Sequence, residues 1–201
     1  TYTIKQGGFN VIDSAIVGST TILAPSSSPS RGLVLMGPSP TAAFPANVTC
    51  SGTSCTTMYS SANDPGSSCT IEENGPVMAV VRCTGNHMDA NGSPYMQYTV
   101  REQFFQNKTA VKVTSILRNA NYDTSVAPSP DATGNTFNTA FKGFQSYELR
   151  LSPSLTGPLS FSIATDSTPQ TGTLDASVGT DSAYIYQGQT QQMTHQYCLY
   201  Q

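Results

Sequence analysis

The densest acidic group in the chain is formed by Glu72 and Glu73, which stand directly before Gly75 and Pro76. Two carboxylates serve as general acid and base in glycoside hydrolysis when they converge across a cleft. Neighbouring residues of a strand point to opposite faces, so Glu72 and Glu73 are not expected to act as such a pair. The pattern instead predicts the entry of a strand, with a kink at Gly75-Pro76.

The two histidines do not supply a catalytic constellation either. His87 lies in a predicted turn, two residues before Asp89, and such a pair is able to transfer protons. No Gly-x-Ser-x-Gly nucleophile motif accompanies it. We therefore predict that His87 is a solvated turn residue and that His195 packs on the last strand. No catalytic residue is predicted, and a non-enzymatic role is favoured.

Aromatic, amide and arginine side chains suit carbohydrate binding, because sugar C–H faces stack on rings and hydroxyls need polar partners. A guanidinium group also fits a planar sugar carboxylate. The predicted carbohydrate-binding residues are Tyr98, Arg101, Arg118, Tyr122 and Phe137. Two observations oppose this interpretation. The chain contains no Trp, and its arginines have an ordinary alternative in ion pairs with Glu73, Glu102 or Glu148.

Five cysteines, at positions 50, 55, 69, 83 and 198, lack any Cys-x-x-Cys spacing, so no zinc site is expected. Disulfides are favoured over buried thiols. Cys50 and Cys55 flank a short loop with Gly52 near its centre, and we predict a bridge between them. A second bridge joins Cys83 to either Cys69 or Cys198. Disulfides place the protein in an oxidising compartment, either extracellular or at the cell surface. No metal and no cofactor are predicted.

Asparagine glycosylation is a further expectation for an extracellular chain. Asn47-Val-Thr49 and Asn107-Lys-Thr109 match the acceptor pattern, which makes Asn47 and Asn107 the candidates. Asn91-Gly-Ser93 also matches, although Pro94 follows it.

The composition narrows the classes of partner. Only 10% of the 201 residues are charged, and the formal net charge is −3. That balance gives no electrostatic basis for binding nucleic acid or an anionic membrane surface. No apolar run approaches the roughly 18 residues that a membrane-spanning helix requires. We predict a single domain over residues 1–201.

Strand patterning is strongest between Thr70 and Asn119. An apolar segment at 77–83, an alternating segment at 95–106 and a third at 110–118 are separated by links too short for parallel crossovers, so they predict an antiparallel meander. Met96, Tyr98, Val100 and Phe104 fall on one side of the second segment, whereas Gln97, Thr99, Arg101 and Gln103 fall on the other.

Shorter strands are predicted on either side of this meander. They lie at 2–5, 9–17, 20–23, 33–36, 47–50, 55–59, 141–151, 159–163, 183–187 and 193–200. No segment has helical periodicity over three turns, and the loop at 119–140 is long enough to be functional. The predicted fold is all-β, an antiparallel β-sandwich of about a dozen strands with long Ser/Pro/Gly-rich loops.

The run from Ile71 to Gly85, IEENGPVMAVVRCTG, with YMQYTVR at 95–101 and ILRN at 116–119, resembles the N-terminal β-domains of the exo-rhamnogalacturonan lyase-like family of secreted proteins. The opening FNVIDSAIVG at 9–18 and YIYQ at 184–187 are also similar. The resemblance implies a β-sandwich, secretion and an ancestral link to polysaccharides. The family often has Arg where this chain has Met78, and its helical catalytic half has no counterpart here, so no catalytic residue is transferred.

Three hypotheses for function follow. The first is a non-catalytic, secreted β-sandwich that acts as a structural or self-assembling subunit of a filament or cell surface. Its copies would associate through edge strands or the terminal segments Tyr2–Lys5 and Met193–Tyr200. The second is a carbohydrate-binding β-domain with a polysaccharide partner. The third is a small glycan-active enzyme.

Overall fold

The structure is a computed structural model that describes residues 1–39, 55–119, 129–130, 136–137, 143–164, 168–175 and 183. These residues are nearly all in strands and loops, with one 3₁₀ turn at Ser61–Asn63. The strands are β1 (Tyr2–Thr3), β2 (Ser14–Val17), β3 (Thr20–Leu23), β4 (Gly32–Gly37), β5 (Thr57–Ser60), β6 (Ser68–Asn74), β7 (Met78–Met88), β8 (Pro94–Phe105), β9 (Val111–Arg118), β10 (Ser129–Pro130), β11 (Thr136–Phe137), β12 (Ser146–Arg150), β13 (Pro158–Ile163) and β14 (Gln170–Asp175).

Seven strands form the main sheet, in the order β12-β4-β5-β7-β8-β9, and β6 pairs with the first part of β7. The pairs β7–β8 and β8–β9 are antiparallel, with Arg82 opposite Arg101 and Arg101 opposite Thr114. The predicted central meander is therefore confirmed. Its first strand is longer than predicted, because β7 continues beyond Cys83 to Met88.

Local turn chemistry closes the two central hairpins. Between β7 and β8, Asp89 Oδ1 accepts hydrogen bonds from the backbone N–H groups of Asn91 (2.9 Å) and Ser93 (2.7 Å). Between β8 and β9, Asn107 has a φ of 58°, a left-handed conformation that Asn tolerates better than most residues. Side chains that satisfy or permit these turns set the register of the whole meander.

A second layer covers one face of the main sheet. Strands β1, β2 and β3 form a small antiparallel sheet. Phe9 and Val11, from the segment that links β1 to β2, pack with Leu33, Tyr98 and Val100 of the main sheet in one buried cluster. The Phe9 and Tyr98 rings stack with centroids 5.4 Å apart. Two packed antiparallel layers with a shared core confirm the all-β sandwich.

Arg31 holds the covering segment in place from within the core. Its side chain is 2% exposed and donates hydrogen bonds to the carbonyls of Ile12 (3.0 Å), Asp13 (2.9 Å) and Ala24 (2.5 Å). Burial lowers the pKa of Arg31, and the neighbouring Asp13 opposes that shift. This arginine therefore ties three loop carbonyls together without presenting a surface to a ligand.

The chain divides into two compact units, residues 1–152 and residues 153–201. The first contains the sheets described above. In the second, β13 and β14 pair as an antiparallel hairpin, with Phe161 opposite Gly172. The single domain predicted for residues 1–201 stays a prediction.

Several short strands differ from the sequence prediction. The segment 9–17 forms a strand only from Ser14. In the described part of the segment 141–151, which begins at residue 143, only Ser146–Arg150 is a strand. Strands β6, β10, β11 and β14 were not predicted. The predicted strands at 47–50 and 193–200 lie outside the described residues. Most of the one predicted at 183–187, and part of the loop at 119–140, lie there as well.

Candidate functional site

The four strands β6 to β9 present two faces of opposite character. Residues that pair directly across antiparallel strands share a face. We call the face that carries Arg82, Arg101 and Thr114 the polar face. Its other rows contain Asn86, Gln97 and Arg118; Thr84, Thr99 and Ile116; and Val80, Gln103 and Lys112. Seven residues of β7, from Val80 to Asn86, span about 20 Å of this surface.

An arginine–carboxylate cluster occupies the centre of the polar face. Arg101 donates to Glu72 through two nitrogens, Nε to Oε2 at 2.7 Å and Nη2 to Oε1 at 3.1 Å. Arg82 Nε lies 3.7 Å from Glu72 Oε1. The hydrogen bond from Arg101 is the main reason why the pKa of Glu72 lies below its ordinary value. Glu72 is therefore ionised at neutral pH and bound side-on by one guanidinium group.

A β-bulge places Glu72 in this cluster. The register between β6 and β7 shifts after Ile71, which faces Val81, so that Glu73 faces Val80. Val80 belongs to the polar face, and Glu72 contacts arginines on that same face. The prediction that Glu72 and Glu73 point to opposite faces is therefore wrong, because the extra residue of the bulge interrupts the alternation.

The polar face is more basic than the chain as a whole. Arg82, Arg101, Lys112 and Arg118 supply four positive charges, and Glu72 and Glu73 supply two negative charges. The chain has a net charge of −3, so basic groups are concentrated here. Arg118 and Lys112 are exposed, whereas Val80 and Thr99 between the longer side chains are buried. The face is suited to a ligand that carries both hydroxyl and carboxylate groups.

Glu102 lies on the opposite, buried face, between Val81 and Val113 of the neighbouring strands. It is 0% exposed, and neither carboxyl oxygen has a hydrogen-bond partner among the described residues. Burial raises the pKa of Glu102 to about 8, so the neutral acid predominates at pH 7. The predicted ion pair between an arginine and Glu102 does not form. Arg101 pairs with Glu72 instead, and the predicted alternative involving Glu148 is present as a pair with Arg150 at 2.7 Å.

His87 is also on the buried face, and the prediction of a solvated turn histidine is wrong. The residue is 0% exposed because β7 carries it under the rings of Tyr98 and Tyr147, which both approach it edge-on. Its Nδ1–H donates to the Met96 carbonyl at 3.0 Å, and Nε2 has no partner. Burial lowers the pKa of His87 to about 4, although the Met96 bond and Asp64 oppose the shift. His87 is therefore neutral at pH 7.

Asp64 does not form a catalytic dyad with His87, because its oxygens are used by the backbone. Oδ1 accepts from Gly66 N at 2.8 Å, and Oδ2 accepts from Asn86 N at 2.6 Å. A Cβ on Gly85 would stand 2.5 Å from both Asp64 Oδ2 and the Tyr98 hydroxyl. Glycine at position 85 therefore lets the 3₁₀ turn approach β7 closely, which is a structural function.

The predicted carbohydrate-binding residues do not form one surface. Arg101 and Arg118 both lie on the polar face, two register rows apart on adjacent strands. Tyr98 lies on the buried face, is 1% exposed and stacks on Phe9, so it is not part of the same surface. Tyr122 is outside the described residues. Phe137 belongs to β11, opposite Ser129, and its side chain is likewise outside the described part. Sequence reasoning missed Glu72, which the bulge brings to Arg101.

One predicted disulfide is present. Cys69 and Cys83 are direct cross-strand partners of β6 and β7 and are bonded, 14 residues apart in sequence. A bridge that closes a loop of this length stabilises a fold by about 3 kcal/mol. Cys55 is disulfide-bonded as well. Cys50 and Cys198 lie outside the described residues, so the Cys50–Cys55 bridge stays a prediction.

Of the two glycosylation candidates, only Asn107 lies among the described residues. Asn107 is exposed at the tip of the β8–β9 hairpin, where an enzyme has access to its amide. Asn47 lies outside the described residues. Glycosylation at either position stays a prediction.

A surface cavity of about 330 Å³ lies on the side of the sheet opposite to the polar face. It is lined by Tyr2, Ile4, Val81 and Phe104. The Tyr2 hydroxyl already donates to the Thr109 carbonyl at 2.5 Å. The cavity wall is therefore mostly apolar and offers little chemistry for catalysis.

Within the described part of the chain, no three His, Cys, Asp or Glu side chains are grouped as a metal site would require. The same residues contain no helix long and apolar enough to cross a membrane.

The part of the chain that forms β5 to β9 is similar to one known protein family. The family described as PcRGLX-like protein central beta sandwich domain matches residues 49–127, which include β5 to β9. The predicted resemblance is confirmed. The match is to a central rather than an N-terminal domain of the exo-rhamnogalacturonan lyase-like type, and it covers β5 to β9 of the main sheet rather than most of the chain. No curated protein and no solved structure matches the chain.

Proposed function

We propose that this protein is a non-catalytic, extracellular β-sandwich that binds carboxylate-bearing polysaccharide on the polar face of its main sheet. One observation carries the proposal. Arg101 holds a carboxylate side-on through Nε and Nη2 on an exposed sheet face, and Arg82, Arg118 and Lys112 lie on the same face. A planar guanidinium fork binds the carboxylate of an acidic sugar in the same geometry.

Three further features support the proposal. Gln97 and Gln103 lie on the same face, where their amides are able to donate to and accept from hydroxyl groups. The similarity to the PcRGLX-like central beta sandwich domain is compatible with a polysaccharide ligand. The Cys69–Cys83 disulfide favours an oxidising, extracytoplasmic location.

The ionisable groups of the buried face support a non-catalytic role. Glu102 and His87 are both neutral at pH 7 and shielded from solvent. His87 bonds to the carbonyl of Met96, which lies six residues from Glu102 along β8, or about 20 Å. A general acid and a general base need to reach the same substrate bond, and these two groups are too far apart for that.

The test is calorimetric titration of the 201-residue protein with polygalacturonate and with its fully methyl-esterified form, which has the same backbone and no carboxylate charge. We expect binding of the acid form that weakens about tenfold or more in Arg101→Ala, because a charge-assisted bidentate contact is lost. Lys108→Ala is the matched control, since it removes a positive charge from the β8–β9 turn outside the polar face. Equal weakening by both substitutions would contradict a specific site at Arg101.

A self-assembling structural role is the second candidate. Strand β6 pairs only with β7 among the described strands, and Ile71 on β6 is 68% exposed. An open edge strand pairs readily with a strand of another copy. The terminal strand β1 is also an edge strand among the described strands, but it has only 2 residues and so offers few backbone groups to a partner. Sizing of the parent chain and of Ile71→Lys tests the role. A charge on this edge should abolish higher species if β6 joins the copies.

A further inference from the structure

We propose that Glu72 is an internal competitor for the carboxylate site of Arg101, and that a ligand carboxylate displaces it on binding. This inference rests on the proposed function and adds a mechanism that sets the affinity and charge preference of the polar face. Glu72 already occupies the position on the guanidinium fork that a ligand carboxylate would take, with oxygens 2.7 and 3.1 Å from the Arg101 nitrogens.

The position of Glu72 keeps the free-energy cost of displacing it from Arg101 low. It lies at the bulge of β6, a strand that pairs on one side only in the described part of the sheet. The side chains of Glu72 and Arg101 are 34% and 40% exposed, so water replaces lost contacts. Exposed ion pairs contribute little to stability, and exchanging one carboxylate for another keeps the same bonds on Arg101.

The balance of charge at the cluster also favours exchange. Arg82 and Arg101 are direct cross-strand partners, so two like charges face each other with one carboxylate between them. Like charges in this arrangement repel, and Glu72 reduces the repulsion. A negative ligand group would reduce it in the same way, whereas a neutral sugar would not. Displacement of Glu72 is therefore selective for acidic ligands.

The test compares Glu72→Gln with Glu73→Gln in the calorimetric titration. Both substitutions remove one negative charge from the same face, but Glu73 has no ion pair with either arginine within the described residues. We expect Glu72→Gln to bind polygalacturonate roughly three- to tenfold more tightly than the parent, because a neutral amide competes less well for Arg101. Glu73→Gln should show a much smaller gain, and the methyl-esterified polymer should not distinguish the variants.

The double variant Arg101→Ala/Glu72→Gln completes a double-mutant cycle, which measures the coupling between the two residues. The gain in affinity from Glu72→Gln should vanish in the Arg101→Ala background, because the guanidinium group for which Glu72 competes is then absent. A purely positioning role for Glu72 predicts the reverse, weaker binding by Glu72→Gln. Binding by the parent together with no gain, or a loss, in Glu72→Gln overturns the inference and leaves the proposed function standing. Failure of the parent and all variants to bind overturns both.

Discussion

The two faces of the main sheet hold similar ionisable residues in opposite electrostatic states. Arg101 and Glu102 are adjacent on β8, yet the first is exposed and pairs with Glu72, whereas the second is fully buried and has no hydrogen-bond partner. Exposure keeps the polar face charged and available to a ligand. Burial keeps Glu102 and His87 neutral at pH 7. A single strand thus separates a charged, hydrated surface from a core by alternation alone.

The largest expected effect comes from introducing a charge on the buried face. Val100 is 0% exposed and packs with Phe9, Cys83 and Tyr98. An aspartate there would leave an unpaired carboxylate in an apolar cluster, at a cost of several kcal/mol. Because whole domains are stable by only about 5–15 kcal/mol, Val100→Asp should abolish the cooperative thermal transition.

Thr114→Asp is the matched control for that substitution. Thr114 is exposed on the polar face, directly across from Arg101, so the new carboxylate is both hydrated and close to a positive charge. We expect a melting temperature close to that of the parent by circular dichroism. If Val100→Asp and Thr114→Asp melt alike, the assignment of the two faces is wrong.

The second-largest expected effect is a pH dependence of stability that arises from the two ionisable groups of the buried face. The pKa of Glu102 is raised from 4.5 to about 8, so the folded state binds the proton more tightly than the unfolded state. Stability therefore falls as pH rises between these values, by about 1.4 kcal/mol per pH unit. The pKa of His87 is lowered from 6.5 to about 4, so its contribution rises with pH over that interval. The two slopes nearly cancel between pH 4.5 and 6.5.

Chemical denaturation at several pH values measures this balance. The parent should lose about 2 kcal/mol between pH 6.5 and 8, an interval that lies within the pKa shift of Glu102 and above that of His87. Glu102→Gln should remove that loss and leave the rise due to His87 between pH 4 and 6.5. A parent protein whose stability stays constant from pH 6.5 to 8 would show that Glu102 is ionised or hydrated in the folded state.

Alternation along β8 explains how much of this arrangement was readable from sequence. The pattern placed Arg101 and Tyr98 on opposite faces, as the structure has them. It also carried the signal for Glu102, which stands between Val100 and Phe104 in the apolar series. An acidic residue in such a position is a candidate for burial, and only its charge indicated an exposed position.

Other features depend on contacts that no local pattern encodes. The bulge after Ile71 exists because β6 pairs with β7, and it determines which face Glu72 occupies. His87 is buried because β7 extends to Met88 and because Tyr147, 60 residues later, reaches its ring. The turn signal at Asp89 was correct, but the sequence did not show how far the strand continues before it.

The smallest expected effect on stability comes from the arginine–carboxylate cluster for which we propose ligand binding. Glu72→Gln removes a carboxylate from between Arg82 and Arg101, so their repulsion increases. These side chains are exposed, but they lie within about 4 Å of one another, so salt screens them fully only near 1 M, where the Debye length is about 3 Å. We expect a slightly lower melting temperature at low salt and no difference from the parent at about 1 M salt. The same variant should bind acidic polymer more tightly, which would separate binding from folding on this face. A large loss of stability that persists at high salt would instead make the cluster part of the folding core, and the contrast between the two faces would fail.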